Sequence, residues 1–75
     1  MDIQFEIFVV VKGNSSRQEN VLVTTVFNDA FSRFILEKKA AWIEVWKEGK
    51  RTSKFHTLDD LISAGRVTRY NNDNP

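Results

Sequence analysis

Ala41-Trp42-Ile43-Glu44-Val45-Trp46-Lys47-Glu48-Gly49-Lys50-Arg51-Thr52-Ser53-Lys54-Phe55 reads as two strands joined by a tight turn. Alternation over 41–46 gives the first strand, and Gly49 supplies a left-handed residue for a three-residue turn at Lys47-Glu48-Gly49. That turn pairs Trp46 with Lys50, Glu44 with Thr52 and Trp42 with Lys54. Both tryptophans then share a face with lysines, while Ile43, Val45, Ser53 and Phe55 point the other way. Large indoles on the polar side of a hairpin mark it as a contact surface, because tryptophan at partly exposed sites carries much of the energy of interfaces.

Upstream, Ile3 to Lys12 sets Ile3, Phe5, Ile7, Val9 and Val11 against Gln4, Glu6, Phe8, Val10 and Lys12, the period of a central strand with one wholly apolar face. A polar loop over 13–19 leads to a second strand rich in Val and Thr over 20–25. From Val26 the period becomes helical. Phe27, Ala30, Phe31, Phe34, Ile35 and Lys38 fall on one stripe, with Thr25 or Asn28 as N-cap and Lys38-Lys39 suiting the C-terminal dipole. The three phenylalanines are expected to pack on Ile3, Phe5, Ile7 and Val9.

Downstream, Thr57-Leu58-Asp59-Asp60-Leu61-Ile62-Ser63-Ala64-Gly65 carries full punctuation for a short helix: Thr57 as N-cap, Asp60 in the capping-box position and Gly65 at C′. Arg66 to Tyr70 supplies a last short strand. The expected fold is α+β, in the order ββαββαβ. A mixed sheet of four to five strands is covered on one face by one long helix. This order, with the Thr57-Leu58-Asp59-Asp60 turn, resembles the β-grasp arrangement, and the resemblance implies parallel pairing of the first and last strands. Residues 1–70 form a single domain and 71–75 a disordered polar tail.

The chain has 75 residues, so a second core cannot be built. A domain of this size buries only about 60% of the surface its unfolded chain exposes, and no cysteine is present to staple it. Eleven Lys and Arg balance ten Asp and Glu, which excludes a polycation or an acidic DNA mimic. Locally the balance tips: Lys38, Lys39, Lys47, Lys50, Arg51 and Lys54 face only Glu44 and Glu48, a modest positive patch around the hairpin. Asp2 and Glu6 stand where a leader would be positive, and there is no run of about 20 apolar residues. A cytoplasmic protein without membrane association is expected.

Catalytic chemistry has little to work with. His56 is the one histidine, and neither Ser53 nor Ser63 sits in a nucleophile elbow. His56, Asp59 and Asp60 could converge on a metal, but carboxylates in a first helical turn are favoured by the dipole alone. Gly13, Gly49 and Gly65 are isolated and form no phosphate loop. No enzyme, cofactor, metal or small-molecule substrate is therefore expected.

One long helix covers one side of a sheet, so Phe8, Val10, Trp42 and Trp46 on the other side must be covered or stay wet. Helix two or the tail could fold over them, or the indoles could stack bases while Lys47, Lys50, Arg51 and Lys54 hold phosphates of RNA or single-stranded DNA. The third option, a protein partner or a second copy as in a homodimer, is favoured. Glu44 between the tryptophans would repel phosphates but suits a protein. Trp42 and Trp46 are the expected anchors, Lys50, Arg51 and Lys54 set orientation, and Phe8 and Val10 extend the apolar patch. A compact module of this kind suits an accessory or inhibitory protein of a phage or mobile element.

Overall fold

A computed structural model describes residues 5–14, 16–37 and 40–68. The elements run β1 (Ile7–Gly13), β2 (Gln18–Thr24), α1 (Phe27–Glu37), β3 (Ala41–Lys47), β4 (Lys50–Phe55) and α2 (Leu58–Ser63). The strands form one four-stranded sheet in the order β2-β1-β3-β4, and every neighbouring pair is antiparallel. The α+β class holds. The mixed sheet and the order ββαββαβ do not: the sheet is purely antiparallel, no fifth strand forms among the described residues, and two helices rather than one long helix cover its face.

The two hairpins form where the sequence places them. β1 and β2 are joined through Asn14, whose side-chain Oδ1 accepts from the Ser16 and Arg17 backbone N–H groups at 2.9 and 3.1 Å, the local bonding that favours Asn in turns. Gly13 lies at φ +138°, and a Cβ there would collide with the Arg17 carbonyl; only glycine fits this approach. The β3–β4 turn is one residue shorter than expected. Lys47 pairs with Lys50 across Glu48-Gly49, and both turn residues have positive φ, 53° and 79°, as a type I′ loop requires.

Each edge strand contains an extra residue. On β2 the pairing passes from Val10↔Leu22 to Val11↔Asn20 and skips Val21; on β4 it passes from Val45↔Ser53 to Trp46↔Arg51 and skips Thr52. The shorter turn sets Trp46 opposite Arg51 instead of Lys50, and the β4 bulge then sets Glu44 opposite Lys54 instead of Thr52.

The facing of β1 is the reverse of the expectation. Phe8 and Val10 join Ile43, Val45 and Phe55 under the helices, in a core completed by Ala30, Phe34, Ala41 and Leu61. Val9 and Val11 lie with Trp42 and Trp46 on the other face. The cause is pairing: residues directly opposite in an antiparallel ladder share a face. Phe8 is opposite Val45, and Val10 opposite Ile43. A shift of one residue would turn every β1 side chain over. Gly13 N–H, donating to the Ala40 carbonyl at 2.7 Å, helps fix the register.

α1 packs across β1, β2 and β3, and α2 against β4. Phe27 meets Phe8 edge-on and Phe31 in a stack. The hydroxyl in use at the entrance of α1 is that of Thr24, accepting from Val26 N–H at 3.0 Å, rather than a group on Thr25 or Asn28. α2 starts as expected, with the reciprocal Thr57–Asp60 capping box. It ends in a Schellman motif, Gly65 N–H donating to Ile62 O and Arg66 N–H to Leu61 O. That closure uses Arg66 for the cap. Its guanidinium then grips Glu6 through two hydrogen bonds of 2.7 Å, and Val67 packs on the core, so residues 66–68 form no strand and no β-grasp pairing arises among the described residues. Ile3, Lys38, Lys39, Arg69, Tyr70 and the tail 71–75 lie outside the described residues.

Candidate interaction face

Both helices contribute to the same core, through Ala30 and Phe34 of α1 and Leu61 of α2. Among the described residues no helix or strand lies over the opposite face of the sheet. That face is built from alternate positions of each strand. β3 provides Trp42, Glu44 and Trp46; their opposite numbers on β1 are Val11, Val9 and Ile7. Val23 of β2 lies beyond Val9, and Arg51 and Lys54 of β4 flank Trp46 and Glu44.

Glu44 organises the face. The Trp42 indole Nε1–H donates to its Oε2 at 2.9 Å, and the Trp46 indole to its Oε1 at 3.0 Å. Successive same-side residues of a strand are neighbours, so one carboxylate ties down both rings. Arg51 approaches Oε2 more loosely, at 3.4 Å. Partial burial pushes the Glu44 carboxyl up, but the two indole hydrogen bonds and the Arg51 charge outweigh it and hold the pKa below the ordinary carboxylate value. The carboxylate is thus ionised at neutral pH.

Trp42 is only 6% exposed and packs on Val9 and Val11. The Lys54 ammonium stands 4.7 Å from its ring centroid, and the His56 ring is 5.5 Å away. Much of what Trp42 contributes is therefore burial inside this chain, and the more open indole is that of Trp46. Ile7, 40% exposed, stands opposite it, and Val23, 58% exposed, lies farther across the sheet beyond Val9.

Of the expected site residues, Trp42, Trp46, Arg51 and Lys54 are brought together. Phe8 and Val10 are buried beneath the helices and cannot extend this patch. Lys50 is opposite Lys47 at the turn, one position out of phase with the tryptophan row. Helix two does not cover the indoles, since its buried Leu61 points into the other core. The members that the sequence did not disclose are Ile7, Val9, Val11 and Val23, whose facing follows from register alone. Asp60, a candidate metal ligand by sequence, uses its Oδ2 to accept from the His56 and Thr57 backbone N–H groups.

The arrangement defines a two-layer α+β domain with helices on one side of an antiparallel sheet and an aromatic, partly charged row on the other. No family model, curated protein or solved structure matches the chain.

Proposed function

We propose that the chain is a small, non-enzymatic protein-interaction module that acts by covering a surface of a larger protein or of its own copy. The supporting observation is the sheet face over which no described element lies, with Ile7 and Val23 as its exposed apolar residues and Trp46 partly buried against the cluster of Val9, Val11 and Trp42. Apolar residues grouped on such a surface, beside polar ones, are typical of interaction sites. The edges are less suited to recruit a partner strand, because the bulges at Val21 and Thr52 interrupt the ladder that strand addition would continue. Steric blockade is the mechanism open to so small a module, the mode of a phage or mobile-element accessory or inhibitory protein.

Nucleic-acid binding is less well supported. Base stacking needs open rings, whereas Trp42 is buried and Glu44 places a negative charge between the two indoles.

A photo-crosslinking side chain placed at Val23, and separately at Ser32 on the outer side of α1, tests the proposal in cell extract. Discrete protein adducts from position 23, absent from position 32 and lost in Trp46→Ala, are expected. Equal labelling from both positions, or none from 23, would refute it.

A further inference from the structure

The geometry points to one occupant for the open face, an acidic amphipathic helix of another protein; this inference rests on the interaction reading above. The first argument is one of size. Four strands spaced about 4.8 Å apart span about 14 Å from β2 to β4, and a helix with its side chains measures about 10–12 Å across. The other face of the same sheet is already covered largely by one helix, the 11-residue α1. Strands of seven residues run about 23 Å, the length of about 15 helical residues.

The second argument is the order of chemistry across the strands. Val23 lies on β2, Ile7 and Val9 on β1, Trp46 on β3, and Arg51 and Lys54 on β4. A helix laid along the strands would rest its apolar stripe on β2, β1 and Trp46, and bring one flank over the two cations.

Third, those cations lack full partners in the chain. Lys54 makes no ion pair among the described residues and stands over the Trp42 ring. The Arg51 side chain is 48% exposed and reaches Glu44 only at 3.4 Å. Glu44, engaged by both indole N–H groups, is one carboxylate beside two cations. Charge complementarity therefore selects Asp and Glu on the helix flank. A second copy would present this same face, two cations beside one carboxylate, and no acidic flank.

The test is a selection, on the full chain, from displayed helical peptides of about 18 residues with a fixed apolar stripe and randomised flanks. Enrichment of Asp and Glu along one flank is expected. A synthetic peptide from that pool should bind about tenfold or more weakly to the Arg51→Gln/Lys54→Gln double variant, and should be weakened by Val23→Asn, whose exposed position leaves the fold intact. Binders that need Val23 and Trp46 but show no acidic flank would overturn this inference and leave the interaction reading standing. A pool indifferent to Val23→Asn and Trp46→Ala would overturn both. A dimer of the free chain abolished by Val23→Asn in sedimentation equilibrium, or binding of labelled oligothymidylate lost in Arg51→Gln, would likewise give the face to another occupant and overturn the inference.

Discussion

Trp42 donates its indole N–H to the carboxylate of Glu44, two residues farther along the same strand, at 2.9 Å. Trp46 does the same from the other side, at 3.0 Å. Removing the acceptor strands two donors, and a buried donor left without a partner costs about 1–3 kcal/mol. Trp46 is only partly buried and regains water, so Glu44→Ala is expected to cost about 2 kcal/mol in chemical denaturation, with a shift of tryptophan emission. An unchanged unfolding midpoint would show that the clamp contributes nothing to stability.

Acid should destabilise the fold through three carboxylates held below their ordinary pKa, Glu6, Glu44 and Glu37, the last chiefly by the hydrogen bond from Arg33. Glu6 is held below its ordinary pKa chiefly by the paired hydrogen bonds from Arg66, against a smaller opposing effect of burial. Glu44 is lowered despite burial, by its indole donors and Arg51. A carboxyl with a depressed folded-state pKa binds its proton more weakly when folded. Its stabilisation is therefore fully present above the unfolded value, about 4.3 for glutamate, and is lost as pH falls through the folded value. Thermal midpoints should be flat down to about pH 5 and then decline. In the Glu6→Gln/Glu44→Gln variant that decline should be shallower, and an equally steep fall would assign acid sensitivity to other groups.

Two backbone positions can be improved. Ala40 and Glu48 adopt positive φ, 56° and 53°, where a Cβ is unfavourable by about 1–2 kcal/mol. Ala40→Gly keeps the carbonyl that accepts from Gly13, and Glu48→Asn suits a type I′ turn. Each should raise stability by about 0.5–1 kcal/mol, visible as a higher thermal midpoint. A drop in either variant would contradict the left-handed assignment at that residue.

The difference between the two faces of the sheet can be read from two alanine substitutions. Phe8 lies in the helix-covered core, 4% exposed, and Phe8→Ala should cost about 3–5 kcal/mol. Val23→Ala, on the open face, should stay within about 0.5 kcal/mol of the native protein. Comparable costs at the two positions would mean that the open face is itself a covered core.

Locally encoded features were the legible ones. The capping box needs only Thr57 and Asp60 three residues apart, and the hairpin over 41–55 needs only alternation and a glycine. The split of β3 and β4 into Ile43, Val45 and Phe55 on one side and the tryptophans on the other follows from the same alternation. β1 was illegible in phase because Ile7, Phe8, Val9, Val10 and Val11 are all apolar, so nothing in that strand distinguishes its two faces. Only pairing with β3 decides, and pairing is non-local. Alternation alone therefore puts Phe8 and Val10 on the wrong face. The bulges at Val21 and Thr52 were equally hidden, since an extra residue in an edge strand has no compositional mark here. Arg66 to Thr68 lacks alternation, and its fate was set by the cap and by Glu6, sixty residues away.

The strand order β2-β1-β3-β4 also has a kinetic side. Each outer pair is a hairpin closed by a short turn, and such hairpins form in about 1–10 μs. The two halves meet along a single seam, Ile7 to Lys12 against Ala41 to Trp46, whose closure must bring together residues 29 to 39 positions apart. The slow event in folding should thus be the zipping of that seam beneath α1. Substitutions in the β3–β4 turn, formed before the seam closes, should slow refolding with little effect on unfolding, and those at Val10 and Ile43, whose contacts form as it closes, should change both rates.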